Sequence, residues 1–390
     1  MEAAVTSEKK PFDFADVLTR MATERASDVH LSPGFPPAIR VRGKIVPLTE
    51  YGRLSAQDTR DTVYSLLNDD QRKRFESNKQ LDLAYAVPGV SRFRVNCFFQ
   101  RGSISAAFRR IPHEIPKLEE LGLPPVLGEF TSKPRGFVLV TGPTGSGKST
   151  SLAAMIDIIN RERDEHILTI EDPIEFLHQH KRCIVNQREI GADADDFSLA
   201  LKAALREDPD VILVGEMRDI ETMSTALTAA ETGHLVFATL HTQSTAQTVD
   251  RIIDVFPSEQ QKQVRMQLSI ALQGIVTQQL LPTADGAGRV VGCEILIPTP
   301  AVRNLIREGK THQIYSAIQT SGSLGMQTMD AHLAQLVRMG RITQDLAERR
   351  ASVPEELKRL LGPVPGTAVR GTQQAVSPEQ PVGAGVTYTG

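Results

Sequence analysis

The chain's 390 residues hold 44 Lys and Arg against 47 Asp and Glu, a formal net charge of −3, with 3 Cys and no Trp. That balance argues against a protein whose main work is neutralising nucleic-acid phosphates, and at about 150 residues per domain the length allows two or three domains, each able to bury a core. Cys97, Cys183 and Cys293 are far apart and odd in number, so they form neither a disulfide framework nor a C-x-x-C metal pair, which fits a reducing compartment.

The first twelve residues are polar, with Lys9 and Lys10 followed by no apolar stretch, so no secretory signal is expected. No run reaches the roughly 18 apolar residues of a membrane span. The expectation is a cytoplasmic protein that meets a membrane only through a partner. Phe14, Val17, Leu18 and Met21 fall at helical spacing, and Ala26-Ser27-Asp28-Val29-His30-Leu31 then turns towards alternation. Residues 38–47, 81–87, 91–100 and 103–111 read as short strands, split by one helix over about 55–76. Residues 1–112 are thus expected as a small α/β domain. On the strand 91–100, Phe93, Val95 and Cys97 share the core face, while Arg92, Arg94 and Asn96 share the other; the two arginines are either a phosphate clamp or a solvated face. Arg109 and Arg110 add further cations.

Residues 113–134 carry breakers around a brief helical piece and read as a linker. From residue 135 apolar strands without alternation alternate with amphipathic helices, which predicts a mainly parallel sheet covered on both faces. Beyond about residue 260 the pattern reads as mostly helical, over 262–279, 300–308 and 328–339. The last stretch, 363–390, is rich in Pro and Gly and is expected to be disordered.

Gly142-Pro143-Thr144-Gly145-Ser146-Gly147-Lys148-Ser149 matches G-x-x-x-x-G-K-[ST] directly after an apolar strand and before an amphipathic helix, the context a P-loop requires. Its glycines let backbone N–H groups converge on phosphates, Lys148 supplies charge to the β and γ oxygens of ATP, and Ser149 offers a hydroxyl to Mg²⁺. A second apolar strand, 211–214, ends at Gly215-Glu216. Gly215 occupies the place where a Walker B aspartate usually stands, so Glu216 reads as a base or water-positioning group. Glu171-Asp172-Pro173-Ile174-Glu175 closes another apolar strand and can organise Mg²⁺ through water, with Glu171 and Glu175 the candidates. His234 and His241 bracket the strand 235–240. They are too far apart for one metal, and His241 either contacts the γ-phosphate or packs.

Taken together these motifs resemble the secretion ATPase superfamily, RecA-like motors of type II and type IV secretion and type IV pili, and within it the pilus-retraction ATPases. The resemblance runs to about Leu361 and includes Ile170 to Phe176 as an Asp box, Leu213 to Asp219 as an atypical Walker B, Thr232 to Thr242 as a His box, and Ala301-Val302-Arg303-Asn304-Leu305-Ile306-Arg307-Glu308, where the family usually has Ala-Ile-Arg. It implies a PAS-like N-terminal domain (1–112), a RecA-like ATPase domain with C-terminal helices (135–362), and a homo-hexamer with nucleotide where the two domains meet. It implies that Gly145, Ser146, Gly147, Lys148, Ser149 and Thr150 hold ATP together with Arg94, that Glu216 is the catalytic glutamate, and that Glu175 and His241 belong to the site. The implied work is hexameric ATP hydrolysis that withdraws the pilus through an inner-membrane platform protein, with the motor peripheral to that membrane. A pilus-assembly or type II secretion motor shares this fold, but such relatives generally carry a longer N-terminal region and often a four-cysteine zinc element. An ATP-switched docking module and a DNA translocase are disfavoured, the first by the retained Lys148, Glu216 and acidic box, the second by the charge.

Overall fold

The computed structural model describes residues 11–24, 26–41, 43–87, 91–112 and 114–362. The 363–390 tail lies outside the described residues.

The first unit is a six-stranded antiparallel sheet of β1 (Asp28–Leu31), β2 (Ala38–Val41), β3 (Lys44–Pro47), β4 (Gln80–Val87), β5 (Ser91–Gln100) and β6 (Ser103–Ile111), in the order β3-β2-β1-β6-β5-β4. Alternation on β5 puts Phe93, Val95 and Cys97 into a core with Val17, Leu18 and Met21 of α1 (Phe14–Thr23), leaving Arg92, Arg94 and Asn96 on the opposite face. The single helix expected over 55–76 is two, α2 (Ala56–Leu66) and α3 (Asp69–Asn78). The break falls at Asn68, whose extended backbone and side chain form a capping box with Gln71, satisfying N–H groups that an uninterrupted helix would have used itself.

The second unit is a seven-stranded sheet. It contains β7 (Gly136–Thr141), β8 (His166–Glu171), β9 (Ile184–Glu189), β10 (Val211–Val214), β11 (Leu235–Leu240), β12 (Leu272–Pro282) and β13 (Arg289–Leu296), ordered β13-β12-β7-β11-β10-β8-β9, and only β13 runs antiparallel to its neighbour. Alternate residues of each strand feed opposite cores. Leu139, Ile212 and Val236 meet α6 (Phe197–Ala204), α7 (Ile220–Thr232), α8 (Thr245–Asp254) and α9 (Ser258–Ala271), while Val140, Leu213 and Phe237 meet α4 (Val126–Thr131) and α5 (Lys148–Glu162). A strand buried on both faces has no use for polar alternation, which is why these read as continuous apolar runs. This is the RecA-like core that the family resemblance implied. Of the stretch 113–134, Leu118, Leu123, Val126, Leu127 and Phe130 contribute to the α5-side core.

The helix expected over 262–279 ends at Ala271, and the chain continues as β12 beside β7. Two distant residues make this turn. Gly274 has no Cβ because one would overlap the Phe130 ring. Arg303, on α10 (Pro300–Glu308), donates Nη1 to the carbonyls of Ser269 and Ile270 and Nη2 to Leu272 O at 3.0 Å, capping the end of α9. After α11 (Ile314–Thr320), which packs Ile314 and Ile318 on the main sheet, α12 (Met329–Arg338), α13 (Gln344–Arg350) and α14 (Pro354–Leu361) gather around Leu333 and Leu357. Among the described residues no helix is long and apolar enough to cross a membrane.

The two units touch through an ion pair. Arg92 Nη2 on β5 donates to Glu189 Oε2 on β9 at 3.0 Å, and the same oxygen accepts Ile174 N at 3.1 Å. Glu189 is only 4% exposed.

Candidate nucleotide site

The loop after β7 bends where only glycine fits. Gly142 has φ +135°, and a Cβ there would overlap the Gln278 carbonyl on β12; Gly145 and Gly147 stand at φ +79° and +91°. Gly147 is the N-cap of α5, so the first N–H groups of that helix point out of the loop as a ready anion site. Lys148 Nζ donates to the carbonyls of Gly142 at 2.8 Å and Pro143 at 3.2 Å and lies 3.4 Å from His241 Nδ1. Burial pulls the Lys148 ammonium below the usual lysine range, while Glu216 and Glu175 push it back up. Ser146 Oγ is buried without a hydrogen-bond partner beneath the loop. Beside the loop lies a cleft of about 1100 Å³ lined by Gly147, Thr150, Ser151, Leu280 and Arg289.

β10 delivers the acid. Gly215 N donates to Ile170 O at 2.8 Å, and a Cβ on Gly215 would stand 3.1 Å from that oxygen and 3.2 Å from Glu171 Cα. Strand packing therefore presses against any aspartate at this position, and the first carboxylate past the strand is Glu216. Its Oε1 meets His241 Nε2 at 2.8 Å and its Oε2 accepts from Arg218 Nη2 at 2.6 Å. The Arg218 hydrogen bond, helped by His241 and opposed by burial, holds Glu216 below the ordinary carboxylate range. A continuous run from Lys148 through His241 to Glu216 thus crosses the C-terminal ends of β7, β11 and β10.

In the acidic loop, Glu171 Oε1 accepts from Thr169 Oγ1 at 2.7 Å and Gln187 Nε2 at 3.2 Å, and burial pushes its carboxyl up to about 7. Glu175 is exposed. Ser149 and Thr150 are half-buried in the first turn of α5. His234 Nδ1 lies 3.0 Å from Ala229 O at the end of α7, far along β11 from the P-loop. Arg94 stands apart from these groups: it lines a cleft with Asp28, His30, Asp82, Asn96 and Arg109, all from the first sheet. Arg218, Gln187 and Gln278 are partners of the site that no sequence spacing marks: Arg218 acts on Glu216 two residues before it, whereas Gln187 and Gln278 act from strands distant in sequence.

A family model described as type II/IV secretion system protein matches residues 73–349. The chain belongs to that family. It is a P-loop ATPase, and two pilus-system relatives match it over most of its length. The type IV pilus retractation ATPase PilT of Pseudomonas aeruginosa is 54% identical over 347 residues, 88% of this chain and 99% of the relative. The twitching motility protein of Neisseria gonorrhoeae is 54% identical over 323 residues, covering 82% of this chain and 86% of the relative. Among solved structures, that of the pilus retraction motor PilT with bound ADP is 51% identical, covers 89% of this chain and 99% of its own, and superposes with a TM-score of 0.85.

The raised Glu171 carboxyl carries a stability signature. The folded state keeps that proton up to about pH 7, whereas an unfolded glutamate releases it near an ordinary value of about 4.3, so stability falls as pH rises between the two. Glu171→Gln removes the penalty. Its melting temperature should exceed that of the parent at pH 8 and match it at pH 4, measured on nucleotide-free protein; equal melting at both would mean the carboxyl is not protonated in the fold.

Proposed function

We propose that this chain is the ATP-hydrolysing motor that drives type IV pilus retraction, and with it twitching motility. What carries the reading is the near full-length likeness to retraction ATPases combined with the Lys148–His241–Glu216 run at the strand ends. In it the α5 N-terminus and Lys148 bind the phosphates of ATP, the cleft beside Thr150 receives the remainder of the nucleotide, and Glu216, kept ionised by Arg218, orients and deprotonates the attacking water. His241 ties Glu216 to Lys148, so the base and the phosphate-binding cation keep a fixed separation.

Mg²⁺ suits the donors present, a hydroxyl on Ser149 and the oxygens of Glu171 and Glu175, since hard cations take oxygen ligands and retain water. Glu175 is the freer of the two acids, because Glu171 is engaged by Thr169 and Gln187. Bound there, the ion neutralises charge on the phosphates.

Working as a ring of like subunits, the motor acts on an inner-membrane platform protein and is peripheral to that membrane. Arg94 then reaches the nucleotide of a neighbouring copy. On this reading Arg94→Ala lowers kcat by about 10³-fold, the scale of a charge-stabilising arginine supplied in trans. Mixing Arg94→Ala subunits with inactive Lys148→Ala subunits should restore part of the activity, because each supplies what the other lacks. Unchanged hydrolysis in Arg94→Ala would make the residue a solvated strand position only.

Direction of movement is tested in the cell. Deleting the protein should leave many surface pili and no twitching; bare cells would instead make it an assembly motor.

A further inference from the structure

Glu216 stands beyond the end of its strand, where the sheet no longer fixes the backbone. The β10–β11 ladder closes at Val214 opposite Ala238. The next residue on β11, Thr239, takes over from the ladder. Its Oγ1 donates to Gly215 O at 2.5 Å, and its own carbonyl accepts Met217 N at 3.2 Å. On the far side Gly215 N is held by Ile170 O at 2.8 Å. The peptides on both sides of Glu216 are therefore clamped, and His241, the first residue past the end of β11, grips the carboxylate itself. The end of β11 and the residue after it thus fix both the root and the head of the side chain.

The residue type is the telling part. Thr239 is 5% exposed, and the other five residues of β11 are Leu235, Val236, Phe237, Ala238 and Leu240, all apolar. Valine would fill the same space in a parallel strand without burying a hydroxyl, so the hydroxyl needs a reason to be there. The bond to Gly215 O supplies it.

We infer that Thr239 is a positioning residue for hydrolysis: its hydroxyl sets the backbone from which Glu216 reaches the attacking water. This rests on the reading of Glu216 as catalytic. Without the bond the Gly215–Glu216 peptide is free to turn, and a shift of about 1 Å at the carboxylate is enough to cost up to about 10²-fold in rate. Nucleotide affinity, which comes from the P-loop, is left alone.

The test uses the full-length chain with Thr239→Val, Thr239→Ser, Thr239→Ala and Glu216→Gln, reading kcat and KM for ATP with the melting temperature alongside. Thr239→Val is expected to lose about 10- to 100-fold in kcat with KM changed by less than about twofold, and Thr239→Ser to retain most of the rate. Parental kcat in Thr239→Val beside an inactive Glu216→Gln overturns the inference while leaving the glutamate's role standing. Sustained turnover in Glu216→Gln removes the catalytic reading and this inference with it. If Thr239→Val does not fold, the Ser and Ala variants decide: an active serine and a crippled alanine support the hydroxyl's role, and equal rates refute it.

Discussion

Glu216→Gln is expected to bind ATP like the parent and to hydrolyse it about 10²- to 10⁴-fold more slowly, the range that a positioned acid or base contributes. The amide keeps the shape of the carboxylate and can still accept from Arg218 or His241, whose nitrogens lie 2.6 Å and 2.8 Å from the two oxygens, so the loop should hold its place. What disappears is the negative charge. Because Arg218 holds the Glu216 carboxyl below its usual range, the group is ionised throughout the neutral region and is lost as a base only when pH falls through that lowered value. The acid limb of kcat in the parent should accordingly lie below the ordinary glutamate value of about 4.3. Stability follows the same sign: the depressed value contributes stability above the ordinary one that fades as pH falls, and the glutamine variant lacks that contribution. Phosphate release beside equilibrium binding of a fluorescent ATP analogue separates the two effects, and near-normal release would remove Glu216 from catalysis.

Gly142→Ala should be the most damaging single methyl in the P-loop. The new Cβ would have to occupy the space of the Gln278 carbonyl and crowd Ser146 Oγ, at a backbone φ of +135° that L side chains rarely adopt. Overpacking of about 1–3 kcal/mol and backbone strain of similar size act together. The relief available is to move the loop off β12, which carries Lys148 away from Glu216. We expect both a fall of several degrees in melting temperature and loss of ATP binding, whereas Gly145→Ala, with open space around its Cβ, should bear only the conformational strain. Equal effects of the two substitutions, read by thermal melting with and without ATP, would show that contact with β12 does not matter.

That contact also marks where sequence reading stopped. The P-loop is legible because its constraint is local: glycines, a lysine and a hydroxyl within eight residues, between a strand and a helix. Glu216 is legible for the same reason, as an acid at the end of an apolar strand. β12 is not. Leu272, Ile275 and Val276 extend the apolar pattern of α9, and a short apolar run suits a buried helix or a buried strand equally well. The deciding features, the Phe130 ring over Gly274 and the Arg303 cap on α9, come from residues more than a hundred positions before and about thirty after the switch. The break at Asn68 was legible in principle, since Asn followed three residues later by Gln is a capping signature. Arg94 shows the opposite limit: its face was readable from alternation, yet within the chain that face lines a cleft of first-sheet residues and joins none of the P-loop groups.

The shared oxygen of Glu189 has a mechanical meaning. A nearly solvent-free carboxylate that loses its cation is left carrying uncompensated charge, which costs about 3–5 kcal/mol in buried pairs. Drawing the two sheets apart breaks the pair, so that cost favours keeping the first sheet docked on the second. Because the same oxygen accepts the N–H of Ile174, the cost of breaking the pair falls one residue before Glu175.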